Sequence, residues 1–362
     1  MNAELRVEGV RARAVSVPIR RPLRTRSGSI ERIRLVLVDC EASDGSVGRA
    51  YLFTYREAFA RAAVALFDDV AEAVVGRPLA PRERATELGV RYRLVGHEGL
   101  ARFVTAGFDM ACWDALAIAC ELPLATLLGG TPRPIVAYNS NGLSPMPADD
   151  LTAEAESLVE DGFRALKIRL GYETPDDDVA AVRAVRERVG ADVTLMSDYN
   201  QSLTFDEALR RGRALDGEGL AWIEEPMRHD DGARNAQLAT ALATPIQLGE
   251  NFAGLRGMER AIAAHACDLV MPDVERIGGV SGWLDAAALA AAHDLPMSTH
   301  LFPEVSVQLM AVTPTRHYLE YVDWANPILG EPLRIVDGLA VPLDGPGSGI
   351  AWNMDAVERY AF

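Results

Sequence analysis

The sequence is almost without lysine. Of its 36 Lys and Arg residues, only Lys167 is a lysine. A lysine ammonium is a compact point charge on a flexible stem, whereas an arginine guanidinium is planar and stays protonated. A chain that uses arginine almost everywhere and keeps one lysine, in the predicted strand at 165–170, suggests that this position needs an ammonium group. The alternative is that the single lysine is accidental.

Other absences narrow the class of protein. No apolar run reaches about 18 residues, which excludes a membrane-spanning helix, and the first residues lack the basic and apolar stretches of a signal peptide. The four cysteines form no CxxC pair and lie in apolar segments. We therefore expect reduced thiols and a cytoplasmic location.

Positive charge is also scarce. The formal net charge is −16, and no dense stretch of basic residues interrupts the acidic background. The long-range field of such a protein repels nucleic acid and anionic membrane surfaces. We therefore expect a small-molecule partner, no nucleic acid and no membrane.

The first part of the chain, residues 1–130, has the pattern of an α+β domain. Alternating apolar residues predict an antiparallel meander of three strands, with a basic loop between the first two. Apolar residues at helical spacing follow the meander. The predicted strands are 10–17, 33–38 and 47–52, the loop is 20–29, and the helices are about 55–75 and 99–128.

Residues 131–324 alternate between short apolar runs and amphipathic helices. Eight parallel strands with seven intervening helices predict a closed α/β barrel, whose chemistry lies at the C-terminal strand ends. The strands are predicted at 135–140, 164–170, 193–198, 221–225, 246–250, 268–273, 296–300 and 318–321. The helices are predicted near 149–161, 176–189, 204–215, 232–243, 254–265, 281–293 and 303–313. We expect the last segment, 325–362, to return to the first domain.

Three acids end three of these strands at equal spacing. Asp198, Glu224 and Glu250 are each 26 residues apart, which suits one strand–helix–strand step. Carboxylates that converge at neighbouring strand ends repel one another unless a cation joins them, and an all-oxygen set suits a hard ion such as Mg²⁺. The alternative is that each acid caps the helix that follows it.

Other ionisable groups end the remaining strands. His300 is the candidate base because its pKa lies near neutrality, and Asp273, one strand earlier, can orient its ring. The alternative is a histidine that only satisfies hydrogen bonds at a strand end. The whole strand-end set is Lys167, Arg169, Asp198, Asn200, Glu224, Glu250, Asp273, His300 and Glu320.

Several motifs resemble those of the mandelate racemase subgroup of the enolase superfamily. They lie at 197–202 (Ser-Asp-Tyr-Asn-Gln-Ser), 222–226 (Trp-Ile-Glu-Glu-Pro), 248–251 (Leu-Gly-Glu-Asn), 271–273 with 277–283, and 296–302. The resemblance covers nearly the whole chain. It implies a modified (β/α)7β barrel, an N-terminal capping domain that the C-terminal segment completes, an essential Mg²⁺ and an even-numbered homo-oligomer.

The resemblance also implies roles for single residues. Asp198, Glu224 and Glu250 would be the Mg²⁺ ligands, and His300 the base with Asp273 as its partner. Glu320 would be a hydrogen-bonding acid, and Lys167 would contact the substrate carboxylate. Ser140 and Asn200 would be further substrate contacts.

The chemistry that the subgroup shares is removal of the proton α to a carboxylate. A racemase of this type uses a second base, the last residue of a Lys-x-Lys strand, but here the strand is Lys167-Ile-Arg169. Arginine is a poor proton acceptor at neutral pH. We therefore expect a one-base reaction, the syn dehydration of an aldonic or aldaric acid to a 2-keto-3-deoxy acid by His300. Arg169 then becomes an electrostatic or substrate-binding group.

The first domain supplies candidate specificity residues. Arg24 and Arg26 interrupt the apolar residues of the 20–29 segment, which favours a polar acid, and a diacid in particular, over an aromatic substrate. Phe53 and Tyr55 resemble pocket residues that contact the far end of the substrate. The alternative is that this arginine-rich segment is an ordinary surface loop.

Other functions stay open at the level of sequence. The first is racemisation, epimerisation or cycloisomerisation of a 2-hydroxy acid or lactone. A zinc hydrolase is disfavoured, since the sequence has no His-x-His and the ligands are carboxylates. A non-catalytic binding protein is disfavoured because buried charges cost stability without turnover to justify them.

Overall fold

The computed structural model describes residues 4–25 and 28–362, with side chains for all of these except 23–25, 28 and 29. The chain forms an N-terminal capping domain and a barrel-like domain with a mixed sheet, so the predicted fold class is confirmed. None of the described helices is long and apolar enough to cross a membrane.

The capping domain begins with a three-stranded antiparallel meander. Its strands are β1 (Val7–Thr25), β2 (Gly28–Ala42) and β3 (Val47–Phe53), paired in the order β1-β2-β3. The meander packs on helices α1 (Glu57–Val74) and α3 (Leu100–Ala119), and helices α2 (Pro81–Tyr92) and α4 (Leu124–Leu127) pack on α3. The sequence did not predict α2, in which only four residues are buried and which therefore has a weak apolar stripe.

The predicted loop at 20–29 is wrong for most of its length. β1 continues to Thr25 and β2 starts at Gly28, so the first two strands form one long hairpin. The pairing shifts register between Pro18, opposite Arg32, and Leu23, opposite Ile30. Such a bulge absorbs extra residues in one strand without ending the ladder, and the basic sequence gives no sign of it.

Helix α3 lies directly on strand β3 at a glycine. A Cβ atom at Gly48 would lie 2.0 Å from the carbonyl oxygen of Ala111 and 2.1 Å from the amide nitrogen of Ala115. These neighbours are backbone atoms that cannot rotate away. The close approach of this strand and helix therefore requires glycine.

The second domain contains a ring of parallel strands. They are β4 (Ile135–Asn139), β5 (Ala165–Arg169), β6 (Thr194–Asp198), β7 (Leu220–Glu224), β8 (Ile246–Leu248), β9 (Leu269–Val270) and β10 (Leu319–Tyr321). Strands β4 to β9 pair in sequence order, and β10 pairs with β4. The antiparallel hairpin of β11 (Arg334–Val336) and β12 (Leu339–Val341) adds to the other side of β4 and makes the sheet mixed.

The predicted strand at 296–300 is wrong as a regular strand. This segment makes only isolated bridges, from Met297 to Val270 and Arg316 and from His300 to Asp273. It nevertheless spans the gap between β9 and β10. His300 therefore lies beside Asp273, as a strand would have placed it.

Helices cover the outside of the barrel, and each predicted helix has a counterpart. They are α5 (Ala148–Glu160), α6 (Pro175–Val189), α7 (Phe205–Leu215), α8 (Gly232–Ala241), α9 (Leu255–Ala263), α11 (Gly279–Ala292) and α12 (Pro303–Met310), with a short α10 (Val274–Ile277) after β9. Polar side chains cap the starts of four of them, α6, α7, α8 and α10. Thr174 forms a capping box with Asp177 on α6, and Thr204 caps α7.

Buried carboxylates join the two domains. Glu275 of the barrel accepts a hydrogen bond from the amide of Phe53 (2.8 Å), and Glu304 accepts one from the hydroxyl of Tyr51 (2.7 Å). Both acceptors reach strand β3. They hold the end of β3, and the residues that follow it, over the mouth of the barrel.

The last residues lie against the capping domain. After a 3-10 turn (Asn326–Ile328) and the β11–β12 hairpin, the amide of Ser348 donates to Asp114 of α3 (2.5 Å). Helix α13 (Met354–Tyr360) follows, and Ala361 forms a bridge with Val15 of β1.

Candidate active site

A cavity of about 740 Å³ lies between the capping domain and the C-terminal ends of the barrel strands. The strand-end residues form its floor, and residues of β2 and of the segment after β3 form the opposite wall. The residues that line it are Ile30, Glu31, Arg32, Arg34, Phe53, Tyr55, Arg56, Ser140, Lys167, Arg169, Asp198, Asn200, Gln201, Glu250, Asn251, Arg276, His300, Leu301, Glu320 and Trp324.

The three evenly spaced acids meet at the floor. Asp198 ends β6, Glu224 ends β7 and Glu250 follows β8, and one carboxylate oxygen from each lies within 4.8 Å of the others. Asn200 fixes Asp198 by donating its backbone amide (2.7 Å) and its side-chain amide (2.9 Å). Three hard oxygen donors that converge in this way fit Mg²⁺.

Lys167 compensates part of this negative charge. Its ammonium lies 2.5 Å from Glu224, 2.9 Å from Glu320 and 3.2 Å from Asp198, and it is 1% exposed. Burial acts to lower the pKa of Lys167, but the carboxylates outweigh burial and hold the pKa well above its usual value. The residue is a fixed cation and not a proton acceptor.

One ammonium is not enough for the acids around it. Burial raises the pKa of Glu224 to about 8, with Lys167 acting against the rise and Asp198 adding to it. At Glu320 burial also acts to raise the pKa, but Lys167 and His300 prevail and lower it to about 2. In this cluster one carboxyl takes up a proton while the others stay ionised. A further cation would compensate the negative charge that Lys167 does not.

His300 and Asp273 form a close pair. Nδ1 of His300 lies 2.6 Å from a carboxylate oxygen of Asp273, and Nε2 lies 3.3 Å from Glu250 and 3.9 Å from Glu320. The other oxygen of Asp273 accepts from the amide of Arg276 at the start of α10 (2.9 Å), which fixes the carboxylate. Burial acts to lower the pKa of His300, but Glu250 and Glu320 outweigh it and hold the pKa well above its usual value.

Arg169 lies on the same strand as Lys167, but its side chain contacts different groups. One guanidinium nitrogen donates to the carbonyls of Ser140 and Gly142, both at 3.0 Å, and another donates to the hydroxyl of Ser140 at 3.2 Å. All three acceptors are neutral oxygens at the end of β4. Within residues 4–25 and 28–362, Arg169 forms no salt bridge with a carboxylate.

The structure brings most of the predicted site residues together. Ser140, Asn200, Phe53 and Tyr55 all line the cavity with the strand-end residues. The side chain of Arg24, and all of Arg26, lie outside the described residues, so their contact with a substrate stays a prediction.

Sequence reasoning missed a chain of polar contacts behind Glu250. The side-chain amide of Asn251 donates to Glu225 (2.7 Å) and to Glu250 (3.1 Å), and Arg276 donates to Asn251 and to the hydroxyl of Tyr55 (2.9 Å). Glu225 directly follows the predicted ligand Glu224, and its buried position was not expected. The only sequence signal for these contacts was that polar residues follow the ends of the strands.

Sequence reasoning also missed part of the cavity wall. Arg32, Arg34, Arg56 and Trp324 come from segments without strand-end motifs. Their place becomes evident only when the capping domain is set against the barrel.

Family comparisons match both halves of the chain. Residues 7–129 match the mandelate racemase/muconate lactonizing enzyme N-terminal domain, and residues 150–356 match the enolase C-terminal domain-like family. A solved enolase from alpha proteobacterium BAL199 with bound magnesium is 44% identical, covers 99% of this chain and 100% of that chain, and superposes with a TM-score of 0.97.

A second solved enolase, from Bradyrhizobium, was complexed with magnesium and mandelic acid. It is 41% identical, covers 100% of both chains and has a TM-score of 0.95. Among characterised proteins, the L-talarate/galactarate dehydratase of Salmonella typhimurium is 31% identical over 97% of this chain and 90% of its own length. Other relatives at 29–31% identity include cycloisomerases, an arabinonate dehydratase and a racemase.

Proposed function

Because the chain belongs to the mandelate racemase/muconate lactonizing enzyme subgroup of the enolase superfamily, we propose that it dehydrates an acid sugar, an aldonic or aldaric acid, to a 2-keto-3-deoxy acid. The superfamily assignment makes it a magnesium-dependent enzyme, and the mandelic acid and L-glucarate bound in solved neighbours support a small carboxylate as its substrate. The finer proposal, dehydration, depends on the residues that surround the cavity.

The observation that carries the proposal is the difference between the two candidate bases. His300 lines the cavity and has a carboxylate partner on Nδ1, which leaves Nε2 for proton transfer. Arg169 is a guanidinium that donates to Ser140 and Gly142. A reaction that needs proton transfer on both faces of the substrate lacks its second base here, whereas a reaction on one face does not need it.

The proposed reaction uses His300 twice. Nε2 accepts the α-proton, the α C–H bond breaks, and Asp273 stabilises the imidazolium through Nδ1. The imidazolium then returns a proton to the β-hydroxyl on the same face, the β C–O bond breaks, and water leaves. The resulting enol takes up a proton at C3 and loses the proton of its C2 hydroxyl, which gives the 2-keto-3-deoxy acid.

Fixed charges and hydrogen bonds support this proton transfer. Lys167 holds one oxygen of the substrate carboxylate and opposes the negative charge that develops there, and the carboxyl of Glu320 is a hydrogen-bonding partner for the same group. Ser140 and Asn200 orient the hydroxyl groups next to the carboxylate. Arg169 adds positive charge and holds Ser140 in place.

Asp198, Glu224 and Glu250 would hold the Mg²⁺, which polarises the substrate carboxylate and favours loss of the α-proton. His300 must start the reaction neutral. The negative potential of Glu250 and Glu320 holds its pKa high, and a divalent cation among the three ligands would remove much of that potential.

The test is proton NMR in D₂O with Mg²⁺ and a panel of aldonic acids, aldaric acids and mandelate. Dehydration predicts loss of the α-proton signal together with a new product deuterated at C3. In His300→Asn the α-proton signal should persist and no product should form. His293→Asn, at the exposed C-terminus of α11, should behave like the unmodified enzyme. Product formation by His300→Asn would overturn the one-base mechanism.

A second candidate is racemisation or related isomerisation of a 2-hydroxy acid. It is favoured by the Bradyrhizobium neighbour with mandelic acid, because mandelate has no β-hydroxyl to lose, and by the aromatic Phe53, Tyr55 and Trp324 of the cavity wall. In the same NMR experiment, this function predicts starting material that is deuterated at the α-carbon and inverted in configuration.

We also propose that the protein forms an even-numbered homo-oligomer without nucleic-acid or membrane partners. Light scattering of the purified protein tests the oligomer. A monomer at micromolar concentration would contradict it.

A further inference from the structure

The lining of the cavity is more positive on the capping side than on the barrel side. Six Lys or Arg residues and four Asp or Glu residues line it, although the chain as a whole carries a net charge of −16. Three of the four acids, Asp198, Glu250 and Glu320, lie on the barrel side beside Lys167 and His300. On the capping side, Glu31 is the only acid among the described lining residues, whereas three arginines, Arg32, Arg34 and Arg56, line the same side.

The backbone explains why these arginines face the cavity. Alternate residues of a strand point to opposite faces, and Ile30, Arg32 and Arg34 of β2 line the cavity while Ile33 and Leu35 are buried in the core.

Thr54 then brings Arg34 and Arg56 together. Its amide and its hydroxyl both donate to the carbonyl of Arg34 at 3.0 Å. The amide of Arg56 in turn donates to the carbonyl of Thr54 at 2.5 Å. The two arginines therefore leave the backbone at neighbouring, fixed points.

These two arginines also lack an acidic partner. Among residues 4–25 and 28–362, neither Arg34 nor Arg56 forms a salt bridge, whereas Arg21 and Arg211 each pair with two carboxylates. The guanidinium of Arg34 donates to the carbonyl of Arg32 (2.6 Å) and keeps other donors free. Two guanidinium groups that line the same cavity wall without an acid favour an anion beside them, and a carboxylate fits the planar fork of a guanidinium group.

We propose that Arg34 and Arg56 bind a second carboxylate of the substrate, at the end remote from Lys167, so that the preferred substrates are aldaric acids. This inference rests on the proposed function, because it places the reacting carboxylate at Lys167. An aldonic acid would present a neutral hydroxymethyl group to the two arginines and leave their charge uncompensated.

The experiment compares galactarate with galactonate, which share their configuration and differ in whether C6 is a carboxylate or a hydroxymethyl group. Glucarate and gluconate form a second pair. The measured quantity is the ratio of kcat/KM for the diacid to kcat/KM for the monoacid. Arg34→Met and Arg56→Met should each lower this ratio about tenfold through a higher KM for the diacid, and Arg61→Met, an exposed residue of α1 paired with Glu57, should keep the ratio of the unmodified enzyme.

A binding measurement makes the test independent of turnover. In the His300→Asn background with Mg²⁺, calorimetry should show that Arg34→Met raises the Kd of galactarate about tenfold more than the Kd of galactonate. Equal effects on diacid and monoacid, or a preference of the unmodified enzyme for both monoacids, would overturn the inference. If the enzyme dehydrates acid sugars but the arginine variants keep the diacid-to-monoacid ratio of kcat/KM, only the inference is overturned. If the enzyme binds diacids tightly and selectively but does not dehydrate them, only the proposed function is overturned.

Discussion

A single side chain, Lys167, organises the charge of the site. It contacts Asp198, Glu224 and Glu320 at 2.5–3.2 Å in an environment from which water is almost excluded. No other residue of the described chain forms a salt bridge with any of these three acids except His300, which lies 3.9 Å from Glu320. The scarcity of lysine in the sequence thus has a structural counterpart, because Lys167 pairs with three buried acids, more than any arginine of the described chain.

Replacing Lys167 with methionine should make the fold depend on metal. Removing one partner of a buried charge cluster typically costs about 3–5 kcal/mol, so the free energy of unfolding in EDTA should fall by that order. Mg²⁺ should then raise the Tm of Lys167→Met more than that of the unmodified protein, since the ligand set has become more negative. Thermal unfolding with EDTA and with Mg²⁺ measures both effects.

Arg169→Met is the matched control, because it removes a buried cation that contacts only neutral oxygens. Its Mg²⁺-dependent shift in Tm should equal that of the unmodified protein. Equal shifts for both variants would contradict the role given to Lys167.

Spacing alone located the three acids of the floor, because a repeated strand–helix step turns equal sequence distance into spatial proximity. The same logic placed His300 beside Asp273. It could not find Arg34, Arg56 or Arg276, because their neighbours come from distant segments of the chain. Single-residue patterns carry no information about which part of the capping domain faces which part of the barrel.

At the scale of elements, the contact of β3 with α3 fixes the cavity wall. Gly48→Ala should destabilise the protein by about 1–3 kcal/mol, because its methyl group would overlap the backbone of Ala111 and Ala115. It should also raise KM, since Phe53 ends the same strand and Tyr55 follows it by two residues. Urea unfolding and steady-state kinetics measure the two effects.

Gly217→Ala is the control for this variant. Gly217 is exposed, and a Cβ atom there would meet no atom within 4 Å. Similar losses of stability in the two variants would show that the close approach at Gly48 is unimportant.

Helices α3 and α11 are joined by a buried acid that should give stability a pH dependence. Asp109 accepts from the amide (2.9 Å) and the hydroxyl (2.6 Å) of Ser281. Burial raises its pKa to about 7, although the Ser281 donors act against the rise. The unfolded-state pKa is about 3.9, so the folded state binds the proton more tightly. The contribution of Asp109 to stability is therefore complete below about pH 4 and is lost as the pH rises to about 7.

Asp109→Asn should remove that loss, because asparagine does not ionise. Urea titration gives the free energy of unfolding at each pH from 4 to 8. Its decrease over this range should be smaller in the variant than in the unmodified protein by on the order of 3 kcal/mol. Gly217→Ala should keep the slope of the unmodified protein. An identical slope in Asp109→Asn would mean that this carboxyl is not the titrating group.

The sequence predicted elements well where periodicity was strong and poorly where pairing decided the outcome. The barrel helices were found from their apolar stripes, and the meander from its alternation. The 296–300 segment has the composition of a strand but forms only bridges, and the long β1–β2 hairpin depends on a bulge that no local pattern announces.

On the scale of the whole molecule, activity requires that the two domains stay in contact. The hydroxyl of Tyr51 donates to Glu304 across the boundary (2.7 Å), and the other oxygen of Glu304 has no hydrogen-bond partner among the described residues. Burial raises the pKa of this carboxyl, with the Tyr51 hydroxyl acting against the rise. The buried carboxyl of Glu304 therefore receives this hydrogen bond only while the two domains are in contact.

Tyr51→Phe should cost about 1–3 kcal/mol, because it leaves the buried carboxyl of Glu304 without its donor. The double variant Tyr51→Phe/Glu304→Met should recover most of this loss, since neither partner then remains unsatisfied. Tyr360→Phe, near the end of α13, is the control. Chemical unfolding of these variants, of Glu304→Met and of the unmodified protein measures the differences. A loss in the double variant equal to the sum of the two single losses would contradict the coupling.

The single lysine has a practical consequence for following the opening of this fold. A protease that cleaves only after lysine has one target bond in the chain, between Lys167 and Ile168. Both residues are buried in β5, so the bond can enter a protease only after that strand has left the barrel. Cleavage would give two fragments, 1–167 and 168–362, and the rate at which they appear would report how often the barrel opens.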